Sequence, residues 1–133
     1  MEWPDLAAAS ERYASTLREI AGAPVVIDLA HLGLGPDGHT ASLVPGDPVL
    51  DVTSADVALT GSYQGRRRMT LTYPLLNRSR CILWLVTGHE KVDMLPRLYE
   101  GDCSIPAGRI SRHQSVVLAD EEAAARVVRS VRL

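Results

Sequence analysis

The run Val25-Val26-Ile27-Asp28-Leu29-Ala30-His31-Leu32 constrains this chain more than any other stretch. It is short, rich in β-branched residues and bounded by Pro24 and Gly33. Such a run reads as a buried strand of a parallel sheet whose two faces are both covered. The chain leaves it through Gly33-Leu34-Gly35-Pro36-Asp37-Gly38-His39-Thr40-Ala41-Ser42-Leu43. Glycines accept positive φ and let a ligand approach the backbone closely. The carboxyl ends of strands are where open α/β sheets bind ligands, and Asp37 and His39 fall there. Thr40–Leu43 is expected to begin a short helix whose N–H groups favour an anion. Gly-Pro-Asp-Gly is also an ordinary turn sequence, and a loop histidine is commonly just solvated. Here a strand, glycines, a carboxylate, an imidazole and two hydroxyls arrive together. These residues indicate a sugar-phosphate or nucleotide site and specify no reaction.

The rest of the chain supplies a scaffold for that loop. Leu6, Tyr13, Leu17 and Ile20 recur at near-helical intervals, which predicts a helix over about residues 5–21 with Asp5 as N-cap and Gly22 and Pro24 at its end. Val57–Thr60 and Met69–Thr72 read as short extended segments, separated by a polar loop that ends in Arg66-Arg67-Arg68. Pro74 suits the first turn of a short helix over Leu75 and Leu76. Cys81–Val86 is the second clear strand, with a helix expected from Glu90 to Tyr99. Ser115–Ala119 is the last strand, and Asp120 is placed to cap an Ala-rich helix reaching Val131. Alternating strands and helices indicate an α/β chain in which right-handed crossovers put helices on both faces of a mostly parallel sheet.

At 133 residues the chain suffices for one domain over 1–133 with a real core. Its net charge of −2 leaves no electrostatic footprint for nucleic acid. No apolar run reaches the ~18 residues needed to span a bilayer, and Met1-Glu2-Trp3-Pro4-Asp5 lacks the features of a signal peptide. Cys81 and Cys103 have no metal-like spacing, and no other ligand cluster stands out, so neither a metal nor another cofactor is expected. A cytoplasmic, reduced setting is the default for such cysteine usage. Thirteen arginines face one lysine, Lys91.

The string from Leu32 to Gly46, Leu-Gly-Leu-Gly-Pro-Asp-Gly-His-Thr-Ala-Ser-Leu-Val-Pro-Gly, resembles the signature of 6-phosphogluconolactonases and, more broadly, of the superfamily that includes glucosamine-6-phosphate deaminases. Ordered segments extend the resemblance: Arg68-Met69-Thr70-Leu71-Thr72-Tyr73-Pro74-Leu75-Leu76-Asn77, then Thr87-Gly88-His89-Glu90-Lys91, Leu98-Tyr99-Glu100-Gly101-Asp102 and Ile105-Pro106-Ala107. It runs from about Ala7 to the C-terminus. The family's Ser-Gly-Gly-Ser-Thr-Pro phosphate loop and Asp-Glu-Arg segment have no match, so the resemblance implies a C-terminal portion, a partial domain of a three-layer, Rossmann-like α/β fold. A Ser-Pro-Lys-Pro-Pro stretch of the family is replaced by Ser62-Tyr63-Gln64-Gly65-Arg66.

The resemblance implies hydrolysis of 6-phospho-D-glucono-1,5-lactone to 6-phosphogluconate in the pentose phosphate pathway. His39 is then the general base and Asp37 orients its ring. The N–H groups of Gly35 and Gly38 are expected at the oxyanion. Thr40 and Ser42 are expected at the substrate, and Lys91 with Arg66 or Arg68 at the phosphate. Two alternatives stand beside it: an amino-sugar-phosphate deaminase or isomerase, and a non-catalytic sugar-phosphate-binding or structural remnant. The expected partners are a sugar-phosphate molecule and, through an exposed sheet edge, further copies of the chain, with no nucleic acid and no membrane.

Overall fold

The computed structural model describes residues 5–127. Helix α1, Leu6–Ala21, starts where the Asp5 carboxylate accepts from the Ala7 N–H at 3.0 Å. It stops at Gly22, whose φ of +86° lies outside the helical range. Strand β1 is Leu29–Leu32 only. Val25–Ile27 are not strand. The fully buried Val25 passes its carbonyl to the Arg78 guanidinium at 3.1 Å, so the ladder begins later.

Strands β2, Val57–Leu59, and β3, Met69–Leu71, pair antiparallel with each other and stand apart from the main sheet. Helix α2, Tyr73–Asn77, carries Pro74 in its first turn, as its sequence requires. Strand β4, Cys81–Val86, matches its expected span. The helix expected over Glu90–Tyr99 divides into a 3₁₀ turn, His89–Lys91, and helix α3, Met94–Glu100. Pro96 lacks the N–H that would bond the Val92 carbonyl, and a restart at Met94 puts this proline in a first turn, where none is needed. Strand β5 is Ser115–Ala119. Beyond it Asp120 accepts from the Ala123 N–H at 2.8 Å and caps a run of turns over 121–127; positions 128–131 of the expected final helix lie outside the described residues.

The main sheet has the order β1-β4-β5 and is parallel throughout. Its register puts Ala30, Leu32, Ile82, Trp84, Val86 and Val117 on one face. That face meets Leu75, Leu76, Leu95, Leu98, Ile105 and Ile110 in a single core. Each large apolar side chain fully buried there contributes about 1.5–3 kcal/mol. The other face carries Leu29, Leu85, Val116 and Leu118, all about half exposed, so among the described residues the sheet is covered on one side.

Tyr73 ties α2 to the 3₁₀ turn Pro106–Arg109, its hydroxyl donating to the Pro106 carbonyl at 2.7 Å. Burial pushes this phenol up to about 12, with the Arg109 charge opposing. A raised pKa means the fold favours the neutral phenol. That stabilisation is complete below the ordinary value near 10 and is lost as pH rises through about 12. In an absorbance titration one of the four tyrosines should ionise after the rest, and Tyr73→Phe should remove that late step. A late step that survives the substitution would assign it elsewhere.

Candidate active site

The loop after β1 closes on itself. Gly35 N–H donates to the His39 carbonyl at 2.9 Å, Gly38 N–H to the Gly35 carbonyl at 3.0 Å, and His39 N–H to Asp37 Oδ1 at 3.0 Å. The side chains complete the turn: His39 Nδ1 lies 2.5 Å from Asp37 Oδ1. Some burial pushes the Asp37 carboxyl up, but the backbone and ring hydrogen bonds from His39 and the His39 charge outweigh it and hold the carboxyl below its ordinary value. Asp37 is therefore ionised at neutral pH and can only accept. In the neutral imidazole the proton between the pair sits on Nδ1, and Nε2 is left with a lone pair.

Two glycines make room for this arrangement. A Cβ on Gly35 would overlap Nδ1 and Cε1 of the imidazole and come within 2.8 Å of Asp37 Oδ1. Gly38 has a φ of +87°, and a Cβ there would lie 2.6 Å from the Ile105 Cβ. Its carbonyl accepts from Ala107 N–H at 3.0 Å, which docks the loop onto the segment at Ile105–Ala107. The expected oxyanion role of Gly35 and Gly38 is thus corrected, since both N–H groups are used inside the turn. These residues supply space for the ring and for the docking contact.

Thr40–Leu43 is not a helix. Thr40 and Leu43 bond each other across a tight turn with Ala41 at φ +50°, so no helix N-terminus faces the site. Thr40 is fully buried, which removes it from substrate contact. Ser42 does reach the site. With His39, Ala41, Val44, Asp47, Thr60, Tyr63 and Arg68 it lines a cavity of about 100 Å³. Arg68 is therefore the arginine at the pocket. Arg66 is exposed, bonds Tyr63 only through the backbone of a hairpin turn, and does not line the cavity.

Lys91 also departs from expectation. Its ammonium donates to the Leu34 carbonyl at 2.5 Å and lies 3.8 Å from Glu90 Oε1. It props the loop from behind and does not line the cavity.

Asp47, Thr60 and Tyr63 are site residues that the sequence reading missed. The buried Asp47 accepts from Val49 N–H at 2.9 Å and from Gly61 N–H at 3.0 Å, joining the 3₁₀ turn Pro48–Asp51 to the loop after β2. Asp before Pro is a cap signal and marked that turn. Thr60 Oγ1 accepts from the backbone N–H of Arg68 at 2.9 Å, which fixes the main chain of that arginine beside the pocket. Nothing local in the sequence announced Tyr63. Among the described residues no group of three His, Cys, Asp or Glu side chains could hold a metal ion, and no helix is long and apolar enough to cross a membrane.

A paired imidazole and carboxylate beside a hydroxyl and a guanidinium can activate water next to an anionic substrate. Comparison with known proteins points the same way. A family described as glucosamine-6-phosphate isomerases/6-phosphogluconolactonase matches residues 1–119. The 6-phosphogluconolactonase of Rattus norvegicus is 39% identical over 126 residues, covering 90% of this chain and 49% of that protein. That of Mycobacterium tuberculosis is 39% identical over 131 residues, covering 92% and 53%. The solved structure of 6-phosphogluconolactonase from Trypanosoma brucei superposes with a TM-score of 0.77 at 25% identity, covering 96% of this chain and 56% of the other. The chain spans about half the length of the curated relatives it matches.

Proposed function

The chain belongs to the glucosamine-6-phosphate isomerase/6-phosphogluconolactonase family, and on that premise we propose that its site hydrolyses 6-phospho-D-glucono-1,5-lactone to 6-phosphogluconate. The observation that carries this reading is the 2.5 Å contact of His39 Nδ1 with an ionised Asp37. It orients the ring and leaves Nε2 as base. A water in the pocket gives a proton to Nε2 as its oxygen bonds to the lactone carbonyl carbon. The tetrahedral adduct then collapses, the ring C–O bond breaks, and the imidazolium returns its proton to the departing ring oxygen. Ser42 borders the reacting group, and Arg68 faces the phosphate as a fork of N–H donors. A cytoplasmic setting fits this chemistry.

A second reading, sugar-phosphate binding without turnover, is favoured by one observation: ~100 Å³ is small beside the ~300 Å³ at which ligand pockets begin. Isolated copies are also open to self-association along the edge of β1 that no other described strand pairs. A coupled assay of lactone hydrolysis against the spontaneous rate tests the first reading; a rate equal to background, with 6-phosphogluconate bound in calorimetry, would establish the second. Ammonia released from glucosamine 6-phosphate would replace both with the deaminase reaction.

Arg68→Ala should weaken binding of phosphorylated sugars about 10–100-fold, the range for a lost hydrogen bond to a charged group, and leave unphosphorylated analogues unchanged. Arg66→Ala should change neither. Equal effects of the two substitutions in calorimetry would remove Arg68 from the phosphate.

A further inference from the structure

Thr60 and Tyr63 both line the cavity at His39, although they stand three residues apart on one extended segment. In a regular strand residues three apart point to opposite sides. The backbone pairing shows how the chain brings them together. Leu59 faces Met69, and Thr60 donates its N–H to the Arg68 carbonyl at 2.8 Å. Tyr63 and Arg66 then exchange two backbone bonds, at 2.9 and 3.0 Å. Gly61 and Ser62 are therefore set against Arg67 alone, two residues against one, which is a β-bulge. The extra residue shifts the phase and returns Tyr63 to the side of Thr60.

The bulge is held in place. Gly61 N–H donates to both Asp47 carboxylate oxygens, at 3.1 and 3.0 Å, and a Cβ on Gly61 would lie only 3.3 Å from Asp47 Oδ2. Beyond it Gln64 at φ +50° and Gly65 at φ +73° form the two-residue turn whose twist matches a hairpin. Tyr63 is 45% exposed, and among the described residues its hydroxyl makes no hydrogen bond. Its ring is thus placed by the backbone at the pocket, with part of its apolar surface uncovered.

We propose that Tyr63 is the specificity-determining residue of the site and selects a closed sugar ring over an open chain. The identity of the sugar rests on the lactonase reading. In the gluco configuration the ring hydroxyls are equatorial, so axial C–H bonds make each face of the ring apolar. Such a face packs on an aromatic ring, as large rigid apolar surfaces do. With the phosphate at Arg68 and the carbonyl at His39, the sugar ring spans the interval that Tyr63 borders. Breaking the ring C–O bond destroys that flat face. The open-chain product is then held by its charges alone, and Tyr63 favours substrate over product.

The test measures, by calorimetry on the 133-residue chain, the affinities of 1,5-anhydroglucitol 6-phosphate, a ring that cannot open, and of 6-phosphogluconate, an open chain. Tyr63→Ala should weaken the first about 10-fold and the second less than ~2-fold, at roughly tenfold per ~1.4 kcal/mol lost. Tyr63→Phe should keep the ring affinity, since the hydroxyl is not engaged. Equal weakening of both ligands by Tyr63→Ala would show a merely structural residue whose loss disturbs the hairpin and Arg68 with it, and would overturn the proposal. So would a ring affinity unmoved by Tyr63→Ala, or failure of the unaltered chain to bind the closed ring. Ring selection that depends on Tyr63 in a chain with no lactone turnover would uphold Tyr63 and sink the hydrolytic reading instead.

Discussion

Replacing His39 with alanine is expected to lower lactone turnover about 10²–10⁴-fold, the usual loss of a general base. Affinity for 6-phosphogluconate should change far less, because Arg68 and Ser42 remain in the pocket. The loss should therefore fall on kcat. Acid should not disable the pair by protonating Asp37 first, since its carboxyl is held below the ordinary 3.8. A depressed carboxylate pKa contributes stability that is present above that ordinary value and is lost as pH falls through the lower folded one. Full turnover by His39→Ala would take the imidazole out of the mechanism.

Gly35→Ala should abolish activity nearly as completely without touching a reacting group. The backbone at Gly35 does not have positive φ, so alanine is conformationally acceptable there, and the effect is steric. The new methyl would occupy the place of the His39 ring and press on Asp37 Oδ1. The ring must move by about an ångström, and a misplacement of that size costs on the order of 10²-fold in rate. Gly33→Ala, two residues earlier, is the matched comparison: a Cβ there meets nothing within 4 Å. Equal activities of the two alanine variants would show that the ring does not depend on the space above Gly35. The thermal melt should separate them little, which keeps the comparison on the chemistry.

The legible parts of this chain are those whose signals are local. The Asp5 cap, the run Cys81–Val86, the run Ser115–Ala119 and Pro74 in a first turn each carry their own instruction, and the fold follows them. Asp37 and His39 could be named together because only two residues of a glycine turn separate them, but their 2.5 Å contact is set by the folded loop. The errors lie where a distant partner decides. Val25 looked like strand, but its carbonyl is claimed by Arg78, far along the chain. Thr40 looked like a ligand to substrate and is buried, while the lysine assigned to phosphate answers to the Leu34 carbonyl. Choosing among Arg66, Arg67 and Arg68 required the antiparallel pairing of β2 with β3, and that pairing also brings Thr60 and Tyr63 to the histidine. An arginine triplet has no internal phase by which to make that choice.

The contact between Lys91 and the Leu34 carbonyl has a practical consequence, because this chain has no other lysine. An amine-acylating reagent finds one α-amino group and one ε-amino group, and the latter is 17% exposed and engaged beneath the histidine loop. Its acylation rate is therefore a clock for how often the loop lets go. A single mass increment on one peptide follows the site's breathing, with thirteen arginines standing by unreactive.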